Sequence, residues 1–408
     1  MISLEEALRL VDDSLAGSAM AGDTIPLRQA LGRTLLADQF ARLDLPPFDK
    51  SAVDGYAIGP DKESDEYELL ETVAAGRVGT ASLRPGTTVK VMTGAPVPKG
   101  TERVAMVEHA REEGSRVRII HSSKKPNICR EGEDVRVGDC IAPAGTVLGA
   151  PGIACLISAG ITEVEVARPF RAAVISTGDE IADDPADLRP GRIMNSNGPM
   201  LAGLLTEHGM MPVSETSVGD DLSATTDAIR AGLEDADCVI LSGGVSVGDY
   251  DFVPHAMERA GLQIHFRSVA IKPGKPTVFA TAPEARGRFA LGLPGNPVAV
   301  LLGFHLFLRR ARSLLCGRRT ELRSFRVLLG GKFKRRSAER CQFVPARLAA
   351  DGTAQAVAYH GSAHLLAASR ADGFFRVPVG TTVLDNGEEV EFFPILGRLD
   401  KPVISTRS

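Results

Sequence analysis

A glycine-rich loop between a predicted strand and a predicted helix is the strongest candidate for chemistry in this sequence. Residues 238–241 form a short, continuous apolar run, which is typical of a strand buried on both faces. The segment that follows, from Ser242 onwards, contains Gly243, Gly244 and Gly248, and a helical pattern begins near Asp251. Glycines let backbone amides approach a ligand closely, and a helix N-terminus adds a favourable dipole. The segment therefore predicts an anion-binding site.

Two carboxylates in the same loop modify this prediction. Asp249 and Asp251 would repel a bare phosphate, so the loop suits a phosphate that is held together with a cation. The alternative interpretation is structural, with Asp251 capping the helix and the glycines forming a turn. A single glycine-rich loop is compatible with both interpretations. The rest of the chain has to decide between them.

Composition and charge exclude several classes of protein. A formal net charge of -4 and an isoelectric point near 6.1 argue against a general nucleic-acid surface. The six cysteines show no Cys-x-x-Cys spacing, so we expect buried free thiols in a reducing compartment rather than disulfides or a zinc site. The N-terminus lacks the pattern of an export signal, and the longest apolar run, residues 298–308, is too short to cross a bilayer. We expect a cytoplasmic protein without membrane contact.

Residues 170–315 alternate apolar runs with helical patterns, which predicts an α/β domain with a doubly wound parallel sheet. Strands are expected at 172–175, 212–217, 238–241, 264–271 and 288–291, and helices at 197–207, capped by Asn197, and at 222–233. A polar, glycine-rich cluster follows the end of each predicted strand. Ligands of open α/β sheets bind at that edge. A chance distribution of these residues would not follow the strand ends so regularly, so the clusters indicate one site.

The residues at this predicted edge include both acids and lysines. Carboxylates can hold Mg²⁺, while lysines bind a phosphate or another oxyanion. The acids are Asp179, Glu180, Asp220, Asp249 and Asp251, and the lysines are Lys272 and Lys275.

The regions on either side of this α/β domain are predicted to contain many short strands. Ser3 and Glu6 form a capping box that opens an amphipathic helix. In the extended segment 45–57, Asp54-Gly55 marks a tight turn that exposes Ser51 and Asp54. The region 56–144 is β-rich, and the strands after residue 316 predict a small barrel of about 90 residues. The basic residues at 318–319 and 332–336 are expected to be solvated.

These motifs, taken together, resemble the molybdopterin molybdenumtransferases, the molybdenum insertases that include bacterial MoeA and the E domain of gephyrin. The resemblance runs through the whole chain in the right order. Its longest motifs are Ser-Ala-Val-Asp-Gly-Tyr-Ala at 51–57, Ser-Gly-Gly-Val-Ser-Val-Gly at 242–248, Lys-Pro-Gly-Lys-Pro at 272–276 and Gly-Leu-Pro-Gly-Asn-Pro at 292–297. Shorter matches lie at 92–98, 132–134, 176–180, 195–197, 361–362 and in a closing segment from 387.

The resemblance implies an α/β multidomain fold and a specific reaction. The implied domains are an N-terminal linker domain at 1–54 plus 145–168, a β-rich inserted domain at 55–144, an α/β molybdopterin-binding domain at 169–316 and a C-terminal β-barrel at 317–408. Family members form homodimers, with the active site between the α/β domain and the second protomer. The implied reaction inserts molybdate into adenylylated molybdopterin and releases AMP, with Mg²⁺ as cofactor. The implied partners are the adenylyltransferase that precedes the insertase, and molybdoenzyme apoproteins or their chaperones.

The resemblance also assigns roles to individual residues. The implied catalytic acids are Asp54, Asp134, Glu180, Asp220 and Asp251, of which Glu180, Asp220 and Asp251 would hold the metal. The implied substrate-binding residues are Ser51, Thr93, Ser196, Asn197, Ser242, Gly243, Gly244, Ser246, Lys272, Lys275, Pro294, Asn296, Pro297, Arg347 and Ser362.

Three positions depart from the family pattern. Val53 replaces a methionine, which is a neutral apolar change. Cys129 and Pro345 stand where relatives carry arginine, which removes anion contacts. Arg347 lies two residues after Pro345, on the same face if the segment is a strand, and could take its place.

Two other functions fit the same residues. The first is a molybdopterin adenylyltransferase, because the Ser-Gly-Gly loop alone would suit that enzyme equally well. The second is a non-catalytic carrier or scaffold, as the gephyrin E domain also clusters receptors; the presence of all the acids favours an enzyme. The sequence does not separate molybdate from tungstate, since both are tetrahedral dianions of similar size.

Overall fold

The computed structural model describes residues 1–60, 65–121, 125–245, 252–318, 324–358, 361 and 364–395. The chain divides into two compact units. One comprises Met1–Asp23 and Ala167–Ser408, and the other comprises Thr24–Val166. Within the described residues, no helix is both long and apolar enough to cross a membrane.

The first unit begins with the helix Leu4–Leu15. The Ser3 hydroxyl accepts a hydrogen bond from the Glu6 amide at 3.0 Å, which confirms the predicted cap. The buried face of this helix repeats every three to four residues and packs against the helix Arg309–Leu315. The N-terminus is thus anchored to a helix at the far end of the α/β region.

A six-stranded mixed sheet forms the centre of the first unit. Its strands, in spatial order, are Met211–Val218, Arg171–Thr177, Cys238–Ser242, Phe289–Leu293, Val278–Thr281 and Gln263–Phe266. The first four are parallel, and the last two run antiparallel to their neighbours. The α-helices that accompany this sheet in the chain are Asn197–Glu207, Leu222–Asp235, Val253–Arg259, Pro297–Gly303 and Arg309–Leu315. A π-helical stretch at Phe304–Leu308 joins the last two. The strand Cys238–Ser242 is buried along its whole length, as its apolar run predicts.

The prediction of a wholly parallel sheet is therefore wrong at one edge. The strand Val278–Thr281 was not predicted, and the strand expected at 264–271 is divided into Gln263–Phe266 and Ile271–Lys272. The division has a physical cause, because residues 268–272 leave the sheet for other partners. Val269 bridges to Ile2, and Ile271 pairs with Cys341.

A smaller sheet follows in the C-terminal region of the same unit. Its strands, in spatial order, are Ile271–Lys272, Cys341–Leu348, Gly373–Val377, Glu389–Pro394 and Phe325–Leu328. The strand Ala354–Ala356 pairs with Cys341–Leu348, and Ala354 also bridges to Leu329, so the sheet closes on itself around a buried apolar core. A two-stranded antiparallel pair of Phe333–Lys334 with Val383–Leu384 and a helix at Leu365–Arg370 complete this barrel.

The second unit contains its own six-stranded sheet. The strands, in spatial order, are Arg103–Met106, Gly55–Ile58, Thr87–Val91, Glu66–Val73, Arg116–Ile119 and Ala110–Glu113. Two-stranded pairs join Gly22–Pro26 to Glu163–Ala167, Gln39–Phe40 to Cys140–Ala142 and Lys50–Ser51 to Ile128–Cys129. The described helices are the 3-10 helices Leu27–Gln29 and Val107–His109 and the α-helix Ala150–Ser158.

Gly55 opens a strand of this second sheet, although the sequence predicts a turn at Asp54-Gly55. A Cβ at Gly55 would lie 2.2 Å from the carbonyl oxygen of Ala105 and 2.6 Å from Cγ1 of Val104. The glycine is therefore required by the close approach of the neighbouring strand Arg103–Met106 and not by turn geometry.

Candidate functional site

A cavity of 1580 Å³ lies in the first unit, between the carboxyl edge of the parallel strands and the barrel. Such a volume exceeds that of most small-molecule pockets, which hold about 300–1,000 Å³. Eleven of the residues predicted to form the site line it: Glu180, Ser196, Asn197, Ser242, Gly243, Gly244, Lys272, Lys275, Pro294, Asn296 and Pro297.

The register of the sheet explains why these residues meet. Ser242 pairs with Ser176 on one side and with Leu293 on the other, so the loops after the three strands begin at the same level. The loop with Lys272 and Lys275 reaches the same edge by another route. It precedes the antiparallel strand Val278–Thr281, whose first residue pairs with Gly292. The sequence therefore predicts the correct edge for both lysines, although they do not follow a strand of the central sheet.

Gly243 and Gly244 allow the loop to lie tightly against its neighbours. Both have positive φ angles, +104° and +61°. A Cβ at Gly243 would lie 2.3 Å from the carbonyl oxygen of Thr177, and one at Gly244 would lie 2.7 Å from Cγ2 of Val253. Both glycines are thus needed to fit the loop between a neighbouring strand end and the next helix.

Asn197 joins two of the loops that line the cavity. It is the first residue of its helix, and Ser196, not Asn197, occupies the cap position. The Asn197 side chain instead donates hydrogen bonds from Nδ2 to the Ser242 hydroxyl at 2.8 Å and to the carbonyl oxygen of Gly295 at 2.7 Å. The expected capping role is wrong, and the residue fixes the Ser-Gly-Gly loop against the Pro-Gly-Asn-Pro loop.

Three buried polar atoms of the cavity lining have no hydrogen-bond partner among the described residues. They are Oγ1 of Thr177, Oδ1 of Asn197 and Oε1 of Gln342. A buried polar group without a partner costs about 1–3 kcal/mol. A ligand that supplies hydrogen-bonding groups at these positions would recover that free energy.

The cavity is strongly cationic. Six basic side chains line it, Lys272, Lys275, Lys334, Arg335, Arg336 and Arg340, against one described carboxylate, that of Glu180. The last four belong to the barrel, and the sequence predicts that the cluster at 332–336 is solvated. The prediction of solvated side chains is confirmed for Lys334 and Arg336, which are exposed although they line the cavity, whereas Arg335 is half-buried.

Arg335 has a structural role in the segment that follows the strand Phe333–Lys334. Its guanidinium donates to the carbonyl oxygens of Thr381 at 2.6 Å, of Arg340 at 2.7 Å and of Pro378. These bonds hold residues 335–340 against residues 378–381. Arg340 in turn donates to the carbonyl oxygen of Ile271 at 3.4 Å, which places the segment beside Lys272.

The acids of the predicted metal site are only partly described. Glu180 lines the cavity, whereas Asp220 does not, and its amide donates to Oδ1 of Asp179 at 3.0 Å. Asp249, Asp251 and the predicted substrate contact Ser246 lie outside the described residues. Among the described residues, no group of three or more acidic, histidine or cysteine side chains is arranged to hold a metal ion. The metal assignment of Glu180, Asp220 and Asp251 stays a prediction.

A separate group of predicted residues lies in the second unit. Oδ1 of Asp54 accepts hydrogen bonds from the amide of Thr93 at 2.7 Å and from its hydroxyl at 2.8 Å. These bonds, the amide bond first, lower the pKa of Asp54 below its ordinary value. The predicted exposure of Ser51 is wrong, because its side chain is buried and its hydroxyl donates to the carbonyl oxygen of Val53 at 2.5 Å.

The loop with Asp134 and Cys129 packs within the same unit. The Asp134 amide donates to the carbonyl oxygen of Leu45 at 3.0 Å, and Cys129 pairs with Lys50 in a short ladder. Burial and the neighbouring Glu133 raise the pKa of the Cys129 thiol. The thiol is thus neutral at physiological pH and does not replace the positive charge of an arginine.

Two predicted C-terminal contacts are not placed at the cavity. Arg347 is an exposed residue of the strand Cys341–Leu348, opposite Gln355, and it is absent from the lining. Pro345 and Arg347 do alternate with inward-facing residues of the barrel, as expected for one face of a strand. Ser362 lies outside the described residues.

Comparison with protein families defines the class of protein first. Residues 2–160 match the MoeA N-terminal region (domain I and II), residues 173–313 match a probable molybdopterin binding domain, and residues 330–395 match the MoeA C-terminal region (domain IV). The chain therefore carries a molybdopterin-binding type of α/β domain between the two MoeA regions.

Individual relatives make the assignment specific. The chain is 37% identical over 295 residues to the molybdopterin molybdenumtransferase of Nostoc sp., covering 70% of this chain and 68% of the relative. It is 34% identical over 325 residues to that of Staphylococcus aureus strain Mu50, covering 78% and 76%. The chain belongs to the molybdopterin molybdenumtransferase family, which is a family of transferases.

A solved structure shows the same architecture. The molybdopterin biosynthesis MoeA protein of Pyrococcus horikoshii OT3 superposes with a TM-score of 0.84 at 27% identity, covering 97% of this chain and 100% of that chain. The chain thus has a MoeA-like multidomain architecture that includes a mixed sheet.

Proposed function

We propose that this protein inserts molybdate into adenylylated molybdopterin and releases AMP in a Mg²⁺-dependent reaction that forms molybdenum cofactor. The observation that carries the proposal is the cationic cavity at the carboxyl edge of the sheet. Its six basic side chains repel one another without an anion, so a ligand with several negative charges is favoured. Adenylylated molybdopterin contributes a pyrophosphate, and molybdate is itself a dianion.

The hydrogen-bonding groups of the cavity support the same ligand. A purely anionic ligand has only acceptors, and it would leave the side-chain oxygens of Asn197 and Gln342 without a partner. Molybdopterin combines anionic oxygens with ring N–H donors. One substrate therefore supplies both the negative charge for the basic side chains and the N–H donors for the unpaired side-chain oxygens.

The residues present fit a magnesium ion. Mg²⁺ sites commonly use one or two carboxylates together with substrate phosphates, and they need oxygen ligands. The carboxylates at this edge offer only oxygen, and Glu180 is the described one that lines the cavity. We assign the ion to Glu180, Asp220 and Asp251, where it would neutralise pyrophosphate charge.

The proposed step needs no covalent attachment to the protein. An oxygen of molybdate is transferred to phosphorus as the pyrophosphate bond breaks, and AMP leaves. The two dithiolene sulfurs form bonds to molybdenum, and the second displaced oxygen leaves as water with the thiol protons. Lys272 and Lys275 stabilise the oxyanion charge during this exchange. The loop amides of Ser242, Gly243 and Gly244 bind phosphate oxygens.

The remaining assignments complete the proposal. The protein is a homodimer, and the second protomer contributes to the active site with four residues: Asp54, Asp134, Ser51 and Thr93. Asp54 is ionised because Thr93 stabilises its charge. The protein works in the cytoplasm, and it has transient contacts with the adenylyltransferase and with molybdoenzyme apoproteins or their chaperones.

The test uses purified protein, adenylylated molybdopterin, Mg²⁺ and micromolar molybdate, and it follows AMP release and cofactor formation together. Wild type is compared with Asp251→Ala, Asp54→Ala and Lys272→Met. Molybdate-dependent AMP release in wild type that is lost in Asp251→Ala supports the proposal. Formation of adenylylated molybdopterin from ATP would indicate an adenylyltransferase instead. Tight binding without turnover would indicate a carrier or scaffold.

A further inference from the structure

Gln342 is a buried polar residue of the barrel. It lies on the strand Cys341–Leu348, is 6% exposed and lines the cavity. Its Oε1 atom has no hydrogen-bond partner among the described residues. In the register of the barrel sheet it pairs with Lys272, so it stands directly beside the basic loop of the sheet edge.

The barrel side of the cavity contributes apolar residues as well as cations. The apolar ones are Val344, Ala356, Val357 and Leu365. A buried acceptor in a lining that includes apolar side chains is suited to a heterocycle that has an N–H at its edge. It is poorly suited to a bare oxyanion, which has no hydrogen to donate.

We propose that Gln342 recognises the pterin ring of the substrate by accepting a ring N–H at Oε1, so that the barrel wall is the pterin subsite of the cavity. This inference rests on the proposed function, because it assigns a part of that substrate to a part of the same cavity. Adenine carries N–H donors in the same substrate, but only at one edge, through its amino group. A reduced pterin has N–H donors on several edges, and can therefore reach acceptors on both cavity walls, Gln342 and Asn197.

The assignment has a consequence for stability that separates it from a structural role. A buried acceptor without a partner destabilises the ligand-free protein, and its replacement by an apolar group of similar size is neutral or stabilising. Gln342→Leu should thus unfold at the same or a higher temperature than wild type when no ligand is present. If Gln342 held the barrel together, the same variant would unfold at a lower temperature.

The experiment measures binding of molybdopterin, AMP and molybdate separately, without turnover, on full-length protein. We expect Gln342→Leu to bind molybdopterin about tenfold more weakly and to bind AMP and molybdate as wild type does. Gln342→Glu keeps an acceptor at the same place and should bind molybdopterin within about threefold of wild type. The matched control is Gln355→Leu, because Gln355 is exposed on the neighbouring strand and does not line the cavity.

Three results would overturn the assignment. They are unchanged molybdopterin affinity in Gln342→Leu, a loss confined to AMP, and a lower unfolding temperature of the ligand-free variant. The proposed function is tested independently by AMP release from wild type. A wild type that binds molybdopterin through Gln342 and releases no AMP would refute the insertase reaction and leave the pterin subsite standing.

Discussion

The two hydrogen bonds of Asn197 give a prediction whose size can be worked out from the structure. Nδ2 of Asn197 is the donor to both Ser242 and Gly295, at 2.8 and 2.7 Å, and the side chain is buried. Each neutral hydrogen bond contributes about 1 kcal/mol, and a buried carbonyl that loses its donor costs about 1–3 kcal/mol more. Two lost bonds and one unpaired carbonyl together cost about 3–5 kcal/mol, and removal of the unpartnered Oδ1 of Asn197 returns about 1–3 kcal/mol, so Asn197→Ala should weaken the junction between the two loops by about 2 kcal/mol.

Local opening of the loops is the appropriate observable. The Gly243 amide donates to the carbonyl oxygen of Leu293 at 3.0 Å, so its hydrogen exchange reports separation of these loops. A loss of about 2 kcal/mol or more corresponds to exchange that is at least about 30-fold faster. The control is Asn386→Ala, which removes a hydrogen bond from the amide of Gly331 in the barrel and should leave Gly243 unchanged.

A second substitution tests the direction of the hydrogen bonds. Asn197→Asp keeps the shape of the side chain but places an ionised oxygen against the carbonyl of Gly295, so at neutral pH it should be at least as disruptive as alanine. Protonation of the aspartate restores one donor, so Gly243 exchange, corrected for the intrinsic pH dependence, should slow as pH falls. Exchange within threefold of wild type in Asn197→Ala would refute this account of the residue.

Three further predictions follow from other parts of the chain. Lys334→Met and Arg336→Met should each weaken molybdate binding about tenfold in equilibrium dialysis, because both cations line the cavity. The control is Lys332→Met, which removes the ion pair with Asp385 outside the cavity and should leave molybdate binding unchanged. Burial, with two arginines nearby, lowers the pKa of His208 from 6.5 to about 4, so the unfolded chain binds more protons than the folded chain between these pH values. The free energy of unfolding should therefore fall by about 1–2 kcal/mol, after solvent screening, as pH drops from about 6.5 to 4. His208→Phe should flatten that part of a thermal-unfolding pH profile. Gly55→Ala should destabilise the second unit by about 1–3 kcal/mol in urea unfolding, because its Cβ would clash with backbone, and a wild-type midpoint would contradict this.

The sequence predicts the central part of the site well because strand ends and glycines are local signals. The run at 238–241, Gly243 and Gly244 and the helix from Asn197 all lie where the pattern indicates. Patterns of this kind depend on neighbouring residues along the chain, and the parallel register then brings their loops to one edge. The cavity lining at Ser242 and Asn296 follows from that rule.

The errors arise where distant partners decide the structure. Val278–Thr281 pairs antiparallel with Phe289–Leu293, and nothing in its own short pattern indicates that direction. The role of Asn197 as a donor to two loops depends on Gly295, which is 98 residues away. Lys334 and Arg336 are exposed, as their charge pattern predicts, but their position at the cavity depends on the fold of the barrel. Gln342 has no sequence signal beyond being a polar residue in an apolar strand pattern.

The strand Ile271–Lys272 has a consequence for protein engineering. Its sequence position is in the α/β region, but its hydrogen bonds belong to the barrel sheet, where Cys341 donates to the carbonyl oxygen of Ala270 at 3.0 Å. A chain truncated after residue 316 would keep every strand of the central sheet and still lose the support of Lys272. A chimera that exchanges the barrel between relatives must therefore exchange residues 268–276 with it, so that recombination breakpoints follow hydrogen bonds and not the apparent domain border.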